Sequence, residues 1–392
     1  MKYKLENICL KITDGSHYSP SDDKTSDIPM FSVKDMEEFN FNYSNCKHIS
    51  KEEYIKMLKN DCVPKLYDVL VAKDGSYLKE IFVNETEDSK AILSSIAIFR
   101  PNLQIINPYF LCYLLKNPMI LNYVKDNCVS GSALPRIILR AFKGIELEIP
   151  ALNTQNKIVR IIKNINDRIR LNNETNNNLS EQIKYIYNDI FIDYADYKRL
   201  DEISNVTIGK TPPRSEQECF TTNKNDVKWV SISDLGKSGM FIFDTSEKLT
   251  QEAVDKYNVK VIPKDTVILS FKLTVGRTGF TTEDMTTNEA IAHFDLNNKE
   301  LNNYLYCTLT YFNYSDLGST SSIATAINSK IVKSIKIGIP SDEQLNKFNN
   351  LTSAMFKTIK NNESENIKLS DLRDTLLPKL MNGEIDLDNI EI

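Results

Sequence analysis

Three histidines, seven cysteines and a few glycine turns are the residues of this 392-residue sequence that could do chemistry. His17, His48 and His293 lie far apart, with no metal-ligand spacing, and read as structural or surface residues. The cysteines (9, 46, 62, 112, 128, 219, 307) are odd in number and form no CxxC pair. Neither a zinc ribbon nor a disulfide frame is indicated, which fits a reducing compartment. There is no GxGxxG, no P-loop and no HExxH. "GRTGF" (276–280) reads as a strand and turn rather than a phosphate cradle. The lack of a catalytic set fits a binding protein.

One motif needs separate treatment. "INPYF" (106–110) resembles in part the Asn-Pro-Pro-aromatic motif of DNA amino-methyltransferases. It lacks the second proline, and no glycine-rich cofactor loop precedes it. Asn107-Pro108 therefore reads as a helix start, with proline in the first turn.

The elements that must carry any site come in two copies. "GIELEIPALNTQNKI" (144–158) matches "SIKIGIPSDEQLNKF" (334–348), with Pro150 and Pro340 in register 190 residues apart. At the same offset Asn156-Lys157 matches Asn346-Lys347, while Gln155 and Gln344 are one residue out of step. "AIFRPNLQIINPYFLCYLL" (97–115) matches "AHFDLNNKELNNYLYCTLT" (292–310) through Phe99 and Phe294. "YDVLVAKDGS" (67–76) matches "KDTVILSFKLT" (264–274) through Asp68 and Asp265. So long a period means two related domains, not a solenoid. Each opens with a strand and turn ("ITDGSHYSP", "TIGKTPPRS"). Short β-rich runs and a helix follow, then a polar loop, and a strand that ends at a proline.

A long helix follows each proline. In the first, Ile158, Ile162, Ile165, Ile169, Asn172, Asn176, Leu179, Ile183, Ile186 and Ile190 keep a 4,3 spacing. This is a heptad seam. The second repeats it as Phe348, Thr352, Met355, Ile359, Asn362, Asn366, Leu369, Arg373, Leu376 and Leu380. Pro378 is expected to kink or end this helix. An antiparallel pairing sets Asn172 against Asn366 and Asn176 against Asn362. The same register sets Ile169 against Leu369, Leu179 against Ile359 and Ile162 against Leu376. Buried Asn pairs cost stability and penalise other registers, so these four are expected to fix it. A seam of about 33 residues spans roughly 50 Å at ~1.5 Å per residue. Such a rod covers about 15 base pairs of B-DNA at ~3.4 Å each. The expected boundaries are 1–150 and 196–340 for the globular domains, 151–195 and 341–383 for the helices, and 384–392 for an acidic tail.

Charge alone does not point to nucleic acid. Net charge is −5, and the tail holds Glu384, Asp386, Asp388 and Glu391 with no base. The body is near neutral: residues 1–150 hold 19 bases and 20 acids, and residues 196–340 hold 17 and 18. A DNA-binding role would rest on local basic faces, with a more basic partner supplying further phosphate contact. No apolar run approaches the ~18 residues that would span a membrane, and the first residues lack a signal-peptide core. A cytoplasmic protein is expected.

The sequence resembles the specificity subunits of type I restriction-modification systems. The residues that carry this are "ITDGSHYSP", "GKTPPR", "VKWVSISDL" (227–235), "IELEIPALNTQNKIV" and "TLLPKLMNGEI" (375–385). The last is the most specific. The resemblance implies an α+β fold with two pseudo-symmetric mixed α/β target recognition domains separated by a two-helix antiparallel coiled coil. It implies a non-catalytic chain that reads a bipartite, asymmetric double-stranded DNA target, with the coiled coil setting the spacer. It also implies two methyltransferase (modification) subunits and restriction/translocase subunits as partners. S-adenosylmethionine and ATP with magnesium would be used there, with no cofactor in this chain. The first half departs from the pattern: it has no GKTPP run, and residues 20–60 are long and polar.

If DNA is the ligand, the loops flanking the β-rich cores should hold the contacts. In the first half these are Ser16, His17, Tyr18, Lys73, Ser76, Ser130, Ser132 and Arg136. In the second they are Lys210, Thr211, Arg214, Lys272, Thr274, Arg277, Ser319, Thr320 and Ser322. Two other readings remain open here: a recognition subunit of a related modification or phage-defence system, and a coiled-coil scaffold with two protein-binding domains.

Overall fold

A computed structural model of the chain describes residues 2–75, 78–130, 136–194, 196–317 and 327–387. The chain divides into two compact units, 1–170 with 369–392, and 171–368. Each unit takes its share of both long helices, so the division falls within the helices and not at their ends.

In the first unit the main sheet runs Cys9–Asp14, Ile96–Pro101, Val69–Ala72, Ile81–Val83, all antiparallel. Val69–Ala72 and Ile81–Val83 are buried along their whole length, as unbroken apolar runs require. A smaller sheet places Ile28–Phe31 between Lys47–Ile49 and Ala91–Ile92. The polar segment 20–60 therefore contributes two strands and the helix Lys51–Lys59.

The second unit repeats this plan. Its main sheet runs Ser204–Ile208, Ile291–Leu296, Val267–Ser270, Thr278–Thr281, Phe241–Ile242. Its smaller sheet runs Phe220–Thr221, Glu247–Leu249, Val227–Val230, Thr286–Thr287. Phe99 faces Val69 across its ladder and Phe294 faces Val267, so these four occupy equivalent places. That pairing corrects one repeat match. Asp265 is equivalent to Tyr67, not Asp68. Both are left-handed (φ 61° and 67°), and each donates its N–H to the neighbouring strand, to Thr281 O and Asn84 O.

Each globular part is closed by a strand pair from its two ends. Lys2–Lys4 lies antiparallel to Glu146–Glu148, and Asp196–Arg199 to Lys336–Ile339. The helix at Pro108–Leu115 starts where Asn107 accepts from the N–H groups of Tyr109 and Phe110. The Asn107 amide also donates to Asn156, so the Asn-Pro motif is consumed as a cap.

The long helices span Leu152–Ile190 and Asp342–Met381. The first ends at residue 190 rather than 195, because Phe191 turns into the second unit's core and residues 196–199 join a strand pair. Pro378 neither ends nor interrupts the second. It lies one turn from the C-terminus, and the packing of that turn, with Leu380 3% exposed in the first unit's core, outweighs the lost Pro378 hydrogen bond. The helix stops at Gly383 (φ 71°), with Glu384 N donating to Lys379 O and Gly383 N to Leu380 O. That is a Schellman ending.

Within the first unit the helices pack antiparallel through Ile158, Ile162, Leu376 and Leu380. Arg373, the charged seam position, pairs its guanidinium with Glu38 Oε1 (2.7 Å) and with Asn166 Oδ1 of the facing helix (3.3 Å). Within the second unit Ile183 and Ile190 pack with Phe348, Phe356 and Ile359. Thr352 is fully buried and satisfies its hydroxyl on Phe348 O, one turn back. Asn172 donates to Asn366 Oδ1 at 2.8 Å and also meets Glu365; Asn362 donates to Asn176 Oδ1 at 2.9 Å. Asn366 in turn donates to Asn173 at 2.8 Å.

Candidate nucleic-acid interface

In both units the candidate loops leave the same end of equivalent sheets. The frame is set by a glycine. Gly15 donates to Ile96 O, and Gly209 to Ile291 O. A Cβ on Gly15 would collide with Ile92 O and Leu93 O, and one on Gly209 with Asn288 O and Thr287 Oγ1. Only glycine lets these turns lie against the neighbouring strand. The next residues, Ser16 and Lys210, then start the two loops at matching positions, bonded to Ile92 O and Thr287 O.

In the first unit Ser16 is buried, with its hydroxyl donating to Tyr18 O at 2.7 Å, so it shapes the turn instead of presenting a donor. His17 and Tyr18 are exposed beside a cavity of about 500 Å³ lined also by Asn60, Cys62 and Lys143. Lys73 is drawn under this turn by an ion pair with Asp14 at 2.9 Å, and His17 stands 3.5 Å from the same carboxylate. Arg136 and Ser130 face each other across a short ladder. Arg136 also bridges to Asp74, 3.8 Å from guanidinium to carboxylate. The structure thus gathers Lys73, Ser130 and Arg136 around two aspartates that loop composition did not single out. One oxygen of each, Asp14 Oδ1 and Asp74 Oδ1, is buried with no hydrogen-bond partner among the described residues. Ser76 and Ser132 lie outside the described residues.

In the second unit Lys210 donates to Tyr257 O at 2.6 Å, and Thr211 bonds Glu289. Arg214 makes a two-pronged pair with Glu247 (2.8 and 2.9 Å) and stacks on Phe220 and Trp229, 4.1 and 4.9 Å from their centroids. Trp229 Nε1 donates to Lys210 O, which ties this aromatic platform to the loop. Burial works to raise the Glu289 carboxyl. The Thr211 hydroxyl, a backbone N–H and the charges of Lys272 and Arg214 outweigh it and hold the group below its ordinary value. Lys272 and Thr274 are exposed. Arg277 is committed elsewhere, donating to Ile232 O at 2.9 Å. Ser319, Thr320 and Ser322 lie outside the described residues.

Lys73, Arg136 and Arg214 each face a carboxylate, whereas Lys210 and Arg277 donate to backbone carbonyls. Carboxylates placed this way accept from base amino groups, and cations beside them are positioned for phosphate oxygens. Among the described residues no group of His, Cys, Asp and Glu could hold a metal ion. No helix among them is long and apolar enough to cross a membrane.

Comparison with known proteins gives a consistent result. The family model for the type I restriction modification DNA specificity domain matches residues 1–181 and 193–370. The type I restriction enzyme HindI specificity subunit of Haemophilus influenzae is 23% identical, over 87% of this chain and 90% of its own length. The MjaIX specificity subunit of Methanocaldococcus jannaschii is 24% identical, over 93% and 88%. The crystal structure of the type I restriction-modification S subunit from M. genitalium has a similar fold. Its TM-score is 0.59 at 14% identity, covering 97% of this chain and 96% of that one.

Proposed function

We propose, because this chain belongs to the type I restriction modification DNA specificity family, that each of its units reads one half of a bipartite, asymmetric DNA target. The observation that carries this reading is the repetition of one loop frame with different side chains. Gly15 and Gly209 set the same turn, but Ser16-His17-Tyr18 occupies it in one unit and Lys210-Thr211-Pro212 in the other. A shared frame with unlike donors and acceptors suits two unlike half-sites.

On this reading the chain is itself non-catalytic and acts in the cytoplasm. It directs two methyltransferase subunits, and restriction/translocase subunits where present, to the sequence it binds. S-adenosylmethionine and ATP with magnesium are used by those partners. The long helices set the number of unread base pairs between the half-sites.

The test is the methylome of the source strain before and after deletion of the gene. Loss of methylation at one split, asymmetric motif is expected. An unchanged methylome would overturn the reading.

A further inference from the structure

The loops that follow Val69–Ala72 and Val267–Ser270 share their closing hydrogen bond and their left-handed positions among the described residues. Leu78 N closes the first on Ala72 O at 2.8 Å, and Gly276 N closes the second on Ser270 O at 3.0 Å. Among the described residues each has two left-handed residues at matching places. In the first loop these are Gly75 (69°) and Leu78 (57°); in the second they are Leu273 (60°) and Gly276 (94°). Each loop thus holds one glycine, which accepts this conformation freely, and one leucine, which does not.

The two leucines are repaid differently. Leu78 is 5% exposed and packs in the first unit's core. Leu273 is 95% exposed and belongs to no apolar cluster among the described residues. It also stands where the equivalent position carries glycine. A strained backbone holding an apolar side chain out in water calls for a ligand. The surrounding groups say which kind. Lys272 and Thr274 flank it and are exposed, and Lys272 shares the field of Glu289 with Arg214. An apolar tip between a cation and a hydroxyl matches the chemistry of a wedge between stacked bases, with phosphates held on either side.

We propose that Leu273 enters a base step of the second half-site and partly unstacks it. The inference rests on the DNA-reading function proposed above. Pyrimidine–purine steps unstack most easily, so a TA or CA/TG step is expected at the point of entry.

The test uses the full chain with its methyltransferase partner and duplexes carrying the motif given by the methylome. 2-Aminopurine is placed at successive positions of the second half-site, away from the methylated base. The wild-type complex should raise the fluorescence at one step. Leu273→Gly suits the left-handed backbone and leaves folding intact. It should abolish that rise and weaken binding about tenfold, the scale of one lost base contact. Leu273→Met should keep the rise.

Absence of a rise at every position in the wild type would overturn the wedge. So would a rise that persists in Leu273→Gly. Unaltered DNA binding with lost methylation in Leu273→Gly would also overturn it, by assigning the residue to a protein partner. All three outcomes leave motif binding in place and so spare the DNA-reading function. A wild-type complex that binds no such duplex would overturn both.

Discussion

The side-chain amide of Asn172 donates to the Asn366 oxygen at 2.8 Å, on a seam position only 4% exposed. Removing Asn366 takes away one of the two acceptors of this buried amide and leaves Glu365 at 2.8 Å, at a cost of about 0.5–1.5 kcal/mol. Asn366→Ala should therefore lower the melting temperature. Changing Asn172, Asn176, Asn362 and Asn366 together to Ile should raise it, because the polar centre of the seam becomes apolar. Cysteine pairs introduced along the two helices should then cross-link in more than one register. A large loss of stability with a single register would defeat the register role.

Gly15 and Gly209 admit no Cβ, since backbone oxygens occupy its place. Alanine at either should cost about 1–3 kcal/mol through forced backbone shifts. The midpoint of urea denaturation measures this. A midpoint within error of wild type for both variants would show that the turns can move aside.

His293 is fully buried, with Thr207 Oγ1 at 2.9 Å from one ring nitrogen and Thr287 Oγ1 at 2.6 Å from the other. Burial, with a contribution from Lys260, pushes its pKa down to about 3. In the unfolded chain the group titrates near ~6.5. Between these values the unfolded state binds the extra proton, so stability rises with pH and falls as pH drops from 6.5 towards 3. The slope from this one group approaches ~1.4 kcal/mol per pH unit. Replacing His293 with Gln should flatten the pH dependence of stability over that window. An unaltered slope would mean that the ring accepts its proton while folded.

Lys272 and Arg277 lie on one loop but should behave differently. Lys272 is exposed, stands 5.6 Å from the Phe271 ring and acts by its charge on Glu289, whereas Arg277 holds the Ile232 carbonyl. Lys272→Ala should weaken DNA binding and reduce the slope of log affinity against log salt by about 1. Arg277→Ala should lower thermal stability and change that slope little. Binding titrations at several salt concentrations separate the two, and equal slopes for Lys272→Ala and wild type would remove Lys272 from the phosphate contacts.

The parts of this fold that recur were legible because repetition is a signal that needs no structure. The seven-residue period places Asn172 opposite Asn366, and the strand-proline-helix run places both long helices. Two kinds of detail were not legible. A one-residue slip is invisible where two strands share little sequence, so Asp68 matches Asp265 by residue type while the ladders make Tyr67 its equivalent. Burial also cannot be read from residue type. Ser16 and Lys73 look like ligand donors in a sequence and are drawn inward, while Asp14 and Asp74, which hold the first cluster together, look like ordinary turn residues. Leu273 was invisible for the same reason: a lone leucine beside a strand reads as core.

The strand pairs that close each globular part have a consequence for inheritance. Lys2–Lys4 meets Glu146–Glu148, and Asp196–Arg199 meets Lys336–Ile339, so the chain leaves each part beside the point where it arrived. A recombination event that exchanges the stretch between two such strands replaces a whole reading head and leaves both helices in frame. This topology lets one exchanged segment, with a breakpoint at each of the two strands, bring in a new half-target.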